Sequence, residues 1–136
     1  MTRALQAFVA GFLATLVFHQ GLLAVLRAAG ATDRAPWSMA PTPPFGVPAV
    51  LSLAFWGGLW GIVLWGLIRT RRGRAYWGAA LLLGAVLPSA VALLVVFPLK
   101  GLTWDGSILV GALLLNAAWG LGVALAMRSL AADEVR

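Results

Sequence analysis

Cysteine is absent from these 136 residues, only four side chains are acidic, and histidine and tyrosine occur once each. Without cysteine there is no disulfide, no thiolate metal site and no cysteine nucleophile, although its absence leaves the redox compartment open. The four acids, Asp33, Asp105, Asp133 and Glu134, all lie between or beyond long apolar runs. No carboxylate pair for acid–base work is therefore available inside those runs. No nucleophile–base pair, metal cluster or glycine-rich phosphate loop is visible either. Charged residues make up 10% of the chain and hydrophobic ones 62%. A soluble globular domain carries about 25% charged residues, so a water-soluble fold of this composition would lack a polar surface.

Four apolar runs, at about 5–26, 47–68, 76–99 and 107–127, occupy nearly two-thirds of the chain. A helix needs about 20 apolar residues to cross about 30 Å of hydrocarbon, and each run reaches that length. The expectation is an all-α integral membrane protein, a bundle of four transmembrane helices forming a single domain over 1–136. The first run exceeds the 7–15 residues usual in a signal peptide's apolar core, and Arg27 falls just before its run of small residues. It is read as a retained span.

The net charge of +6 does not point to nucleic acid, because the basic residues sit at the ends of the spans rather than along one face. They read as topology determinants and contacts for anionic headgroups. Arg3, Arg69, Arg71, Arg72, Arg74, Arg128 and Arg136 fall on one side of a four-span arrangement, and Arg27, Arg34 and Lys100 on the other. The concentration of Arg69, Arg71, Arg72 and Arg74 in one short loop predicts that this loop and both termini are cytoplasmic, in a bacterial inner membrane. The opposite loop, 27–46, carries Pro36, Pro41, Pro43 and Pro44 and is expected to be extended or polyproline-like. It is a candidate cover for the outer mouth of the bundle. Trp37, Trp77, Trp104 and Tyr76 read as interface residues.

Small residues recur at four-residue steps, as close helix association in lipid requires. Gly11 lies between Ala7 and Thr15, with His19 at the next step. Gly57 precedes Gly61, Ala80 precedes Gly84, Asn116 precedes Gly120, and Ala118 precedes Gly122. Trp60-Gly61 stands before Arg69 with the same spacing as Trp119-Gly120 before Arg128. This hints at two tandem helical hairpins related by a parallel repeat. Pro88, beside Ser89, should kink the third span.

The polar side chains inside the spans are few: Thr15, His19, Gln20, Ser52, Ser89 and Asn116. Counted from the outer end of each span at about 1.5 Å per residue, they lie within about 8 Å of one another in depth. Trp56 and Trp119 fall at similar depth as a possible aromatic lining. His19 is the only ionisable group within a span, which marks it as a functional candidate beside the plainer role of a neutral histidine bonding a neighbouring helix.

The chain reads first as a small non-enzymatic accessory, assembly or scaffolding subunit acting through helix contacts, either by self-association or in a larger membrane complex. The first alternative is a homo-oligomeric transporter or channel for a small solute or ion, built around His19 and Asn116; no embedded glutamate is present to drive proton-coupled export. The second is haem or chlorin ligation by His19, no cofactor being otherwise expected. A lipid-directed enzyme would have to pair His19 with Asp105 or Asp33, which requires a folded-in loop.

Overall fold

In the computed structural model, which describes residues 1–133, every apolar run forms a helix. The four are α1 (Arg3–Ala28), α2 (Ala49–Ile68), α3 (Gly73–Leu99) and α4 (Gly106–Asp133), each long and apolar enough to cross a membrane. Glu134 and Arg136, the latter one of the basic topology residues, lie outside the described residues.

Local chemistry sets the helix ends. The Thr2 hydroxyl accepts from the Leu5 amide at the start of α1. Asp105 caps α4, its carboxylate accepting from the Ser107 and Ile108 amides and from the Ser107 hydroxyl. These bonds, that of the Ser107 hydroxyl foremost, hold the Asp105 carboxyl below its ordinary range. The start of α2 is capped by backbone instead. Ala49 and Val50 donate to the carbonyls of Ala40 and Ser38, which supplies partners for two amides that the helix itself leaves unpaired.

That stitching depends on an element the apolar pattern gave no sign of. Residues 41–48 fold into a small antiparallel hairpin of β1 (Pro41–Thr42) and β2 (Val47–Pro48), with Pro41 opposite Pro48 and Thr42 opposite Val47. The Thr42 hydroxyl donates to the Val47 carbonyl at 2.7 Å, and Gly46 takes the left-handed backbone the turn requires. Residues 47 and 48 therefore belong to the hairpin, and α2 begins two residues later than the apolar run.

Helix α1 packs along α2, α3 along α4, and α1 also along α4, whereas α2 touches α3 and α4 more lightly. The molecule is two hairpins joined through their α1 and α4 members. Both hairpins use one packing device. A Cβ added to Gly61 would meet the Ala7 carbonyl oxygen and lie 2.9 Å from the Gly11 Cα; one added to Gly120 would meet the Ala80 carbonyl oxygen and lie 3.0 Å from the Gly84 Cα. Each pair of backbones is in contact at a glycine–glycine crossing, where no side chain fits.

The core is made mainly of small residues, Ala7, Ala10, Ala14, Ala80 and Ala124, with Trp119 at its middle, and is filled toward the arginine end by Leu64, Ile68, Tyr76 and Met127. Tyr76 is therefore a core residue and not an exposed interface anchor. Its hydroxyl donates to the Ala124 carbonyl at 2.6 Å, tying α3 to α4. Two π-helical turns interrupt the helices, at Thr15–His19 in α1 and at Ala92–Val96 in α3. The second follows Pro88, which has no amide to give the helix ladder.

Candidate functional site

The polar side chains expected to share one layer do not converge on one cavity; all but Ser52 fall into three separate hydrogen-bonded sets. The first is a junction at the Gly11 carbonyl. It accepts the Thr15 hydroxyl at 2.9 Å from the same helix and the Trp119 indole N–H at 3.1 Å from α4. Gly57 of α2 closes over it, and a Cβ there would strike the Thr15 hydroxyl oxygen. The junction can form because Gly11 and Gly57 leave the carbonyl accessible from two sides. Trp119 is 3% exposed and fills the middle of the bundle. Gly122, one turn further on, is pressed against the Phe18 ring.

The second set lies at the π-helical turn of α1 and binds the proline-rich loop. Gln20 is buried. Its Oε1 accepts from the Trp37 amide at 2.7 Å, and its Nε2 lies 3.1 Å from His19 Nδ1. The Trp37 indole N–H donates to the Leu16 carbonyl at 2.8 Å, and Trp37 adopts a left-handed backbone with φ of 49°. A tryptophan accepts that conformation only at some cost, offset here by the two bonds that seat it. The network also assigns the histidine tautomer. Gln20 must present its oxygen to the Trp37 amide, so its Nε2 donates to Nδ1 and the neutral imidazole carries its proton on Nε2. An axial bond from Nε2 to haem or chlorin would require that proton to move and Gln20 to turn, breaking the bond to Trp37.

Replacing Gln20 with leucine removes the acceptor for the Trp37 amide. Such a bond contributes about 1 kcal/mol, so the open fraction of the loop should rise several-fold. Tryptic cleavage at Arg34 reads this directly, and a cleavage rate equal to the wild type's would show that the bond does not hold the loop.

The third set is Asn116 Nδ2 donating to the Ser89 hydroxyl at 2.9 Å, across the α3–α4 crossing. Ser52 joins none of the three. It lies half-buried on α2, lining a groove with Trp56, Phe55, Leu51 and the hairpin residues Thr42, Pro43, Pro44, Phe45 and Val47. Trp56 is 58% exposed and faces out of the bundle, so it does not share a lining with Trp119. One buried polar residue escaped the depth count: Gln6, near the start of α1, accepts from the Arg3 guanidinium at 3.2 Å. It lies toward the arginine end, away from the other polar side chains, and an amide in an apolar run is the signal that marks it in the sequence.

At the opposite end, Arg69, Arg71, Arg72 and Arg74 surround the α2–α3 connection and are exposed. The Arg71 guanidinium donates to the Leu67 carbonyl at the end of α2. Arg128 of α4 lies over the Trp77 ring, 5.8 Å from its centroid.

The fold is that of four apolar helices compatible with a transmembrane helical bundle. Comparison of the chain with protein-family models, with curated proteins and with solved structures finds no match in any of the three.

Proposed function

We propose that this protein is a non-enzymatic accessory or scaffolding subunit embedded in a membrane, working through helix contacts with another chain. The observation that carries the reading is the division of its helix glycines. Gly11, Gly57, Gly58, Gly61, Gly84, Gly120 and Gly122 are consumed inside the bundle, whereas Gly21, Gly66, Gly78 and Gly111 have open space where a side chain would be. A glycine inside a helix costs about 1 kcal/mol relative to alanine, and in lipid it is useful where another backbone must approach. Leaving aside Gly73 and Gly106, the equally open first residues of α3 and α4, each helix has one such position. Within one helical turn of them in sequence, Ile62, Val63, Leu82 and Val110 present apolar surface outward.

The reading includes insertion as four spans in a bacterial inner membrane, with the arginine-rich connection and both termini on the cytoplasmic side. The matching glycine crossings of the two hairpins support an origin by duplication of one hairpin. Against a channel through a single copy stands the filled centre, where Trp119 and the glycine crossings occupy the space between helices. Against haem or chlorin stands the tautomer that Gln20 imposes on His19.

Native mass spectrometry of the protein extracted gently from its own membranes tests the proposal. A second, different chain at fixed stoichiometry is expected, and Gly66→Leu with Gly111→Leu should reduce its recovery about tenfold without lowering the purified protein's stability. A bare monomer overturns the reading. A homo-oligomer overturns it in favour of a self-assembled transporter, and flux assays of His19 and Asn116 variants would follow.

A further inference from the structure

The arginine end carries a depression that the charge pattern of the connecting loop does not define. It has a volume of about 280 Å³ and opens between three helices. Arg71 and Arg72 bound it from the α2–α3 connection and Arg128 from α4; its apolar floor is Trp65, Tyr76 and Met127. Arg69 and Arg74, of the same loop, are not part of it. No carboxylate of the described residues lines it.

Two of the three guanidinium groups already make a contact within the protein. Arg71 is folded back by its bond to the Leu67 carbonyl, and Arg128 rests on Trp77. Each retains spare N–H donors, since a guanidinium carries five. The floor is held, because the Tyr76 hydroxyl is bonded to Ala124. Gly73, with φ of 56°, turns the chain sharply into α3 at the rim. The first turn of α3 has no side-chain cap, so its amide dipoles add to the positive field.

We infer that the depression bounded by Arg71, Arg72 and Arg128 binds a phosphate group carried by an anionic ligand. Forked guanidinium groups suit the several acceptor oxygens of a phosphate. The apolar floor, at the end of a bundle read as membrane-embedded, suits an anionic phospholipid headgroup with its acyl chains along α2 and α4. A soluble phosphate would use the same arginines. The lipid source rests on the membrane reading above; the phosphate chemistry does not.

The test uses the full-length protein in micelles containing equal amounts of phosphatidylglycerol and phosphatidylcholine, with bound lipid counted by native mass spectrometry. Phosphatidylglycerol should be retained about tenfold over phosphatidylcholine. Arg72→Gln with Arg128→Gln should abolish that preference, while Arg69→Gln with Arg74→Gln, which removes the same charge outside the depression, should keep it. If inorganic phosphate displaces the lipid more than chloride does at equal ionic strength, the site is upheld with a soluble phosphate as its ligand. An equal loss in both pairs, or no preference in the wild type, overturns the site. Alkaline carbonate extraction of native membranes is run alongside: release of the protein sinks the membrane reading, whereas retention without a lipid preference sinks only the site.

Discussion

Gly11→Ala should destabilise the first hairpin, although alanine is the better helix former. The added methyl would fall on the Gly57 carbonyl oxygen and come within 2.9 Å of the Gly61 Cα. Backbone cannot swing aside as a long side chain can, so α1 and α2 must separate. Separation also opens the Gly11 carbonyl junction with Thr15 and Trp119. Helix propensity favours alanine by about 1 kcal/mol, and overpacking of this kind costs about 3 kcal/mol. The net sign is therefore destabilising by about 2 kcal/mol. Gly66→Ala is the natural control: it meets open space, so in the purified protein propensity alone acts and stability should rise by up to about 1 kcal/mol. Unfolding of both variants in mixed detergent micelles measures the two signs. If Gly11→Ala matches or exceeds the wild type, the α1–α2 crossing does not hold the fold.

Trp119→Ala is expected to cost about 3 kcal/mol, at the lower end of what loss of a buried tryptophan costs in a water-soluble core. The lower end applies because the interior of the micelles used for the measurement is itself apolar, so the transfer part of the penalty shrinks and the lost packing remains. The indole reaches from α4 to the Gly11 carbonyl of α1 and packs in a core made largely of alanines, whose short side chains fill little of the space it would leave. Trp119→Phe separates volume from bonding. It keeps most of the packing and loses the bond to the Gly11 carbonyl, which is about 1 kcal/mol in a membrane protein. The same unfolding measurement reads both, and equal losses for the two variants would mean that the hydrogen bond rather than the volume holds the junction.

The four helices were readable from composition and run length, because an apolar stretch of about 20 residues without charges has few other places to go. Their ends were readable to within three residues, except that the fourth helix continues six residues past its apolar run, to Asp133, and that tertiary contacts decided the start of α2. Val47 and Pro48 continue the apolar run but lie opposite Thr42 and Pro41 in the hairpin, and the pattern of hydropathy does not register a two-residue bridge. The depth count grouped Thr15, His19, Gln20, Ser52, Ser89 and Asn116 in one layer. Depth along a helix is one coordinate only, and the rotation of each helix about its axis is the other. Rotation turns Trp56 outward and Trp119 inward at similar depth. It pairs Asn116 with Ser89 and leaves Ser52 facing the hairpin.

By itself the sequence determined the number of helices, the positions on each that permit close approach, and the collection of arginines at one end. These follow from side-chain size, charge and spacing, which are local properties. Only the tertiary structure decided which helices meet, that the two hairpins repeat one glycine crossing, that Gln20 and Trp37 tie the proline-rich loop to α1, and that Arg128 joins Arg71 and Arg72 around one depression. Those outcomes depend on which backbone faces which. That choice is made by three-dimensional packing among several glycine-bearing faces whose local patterns are nearly alike.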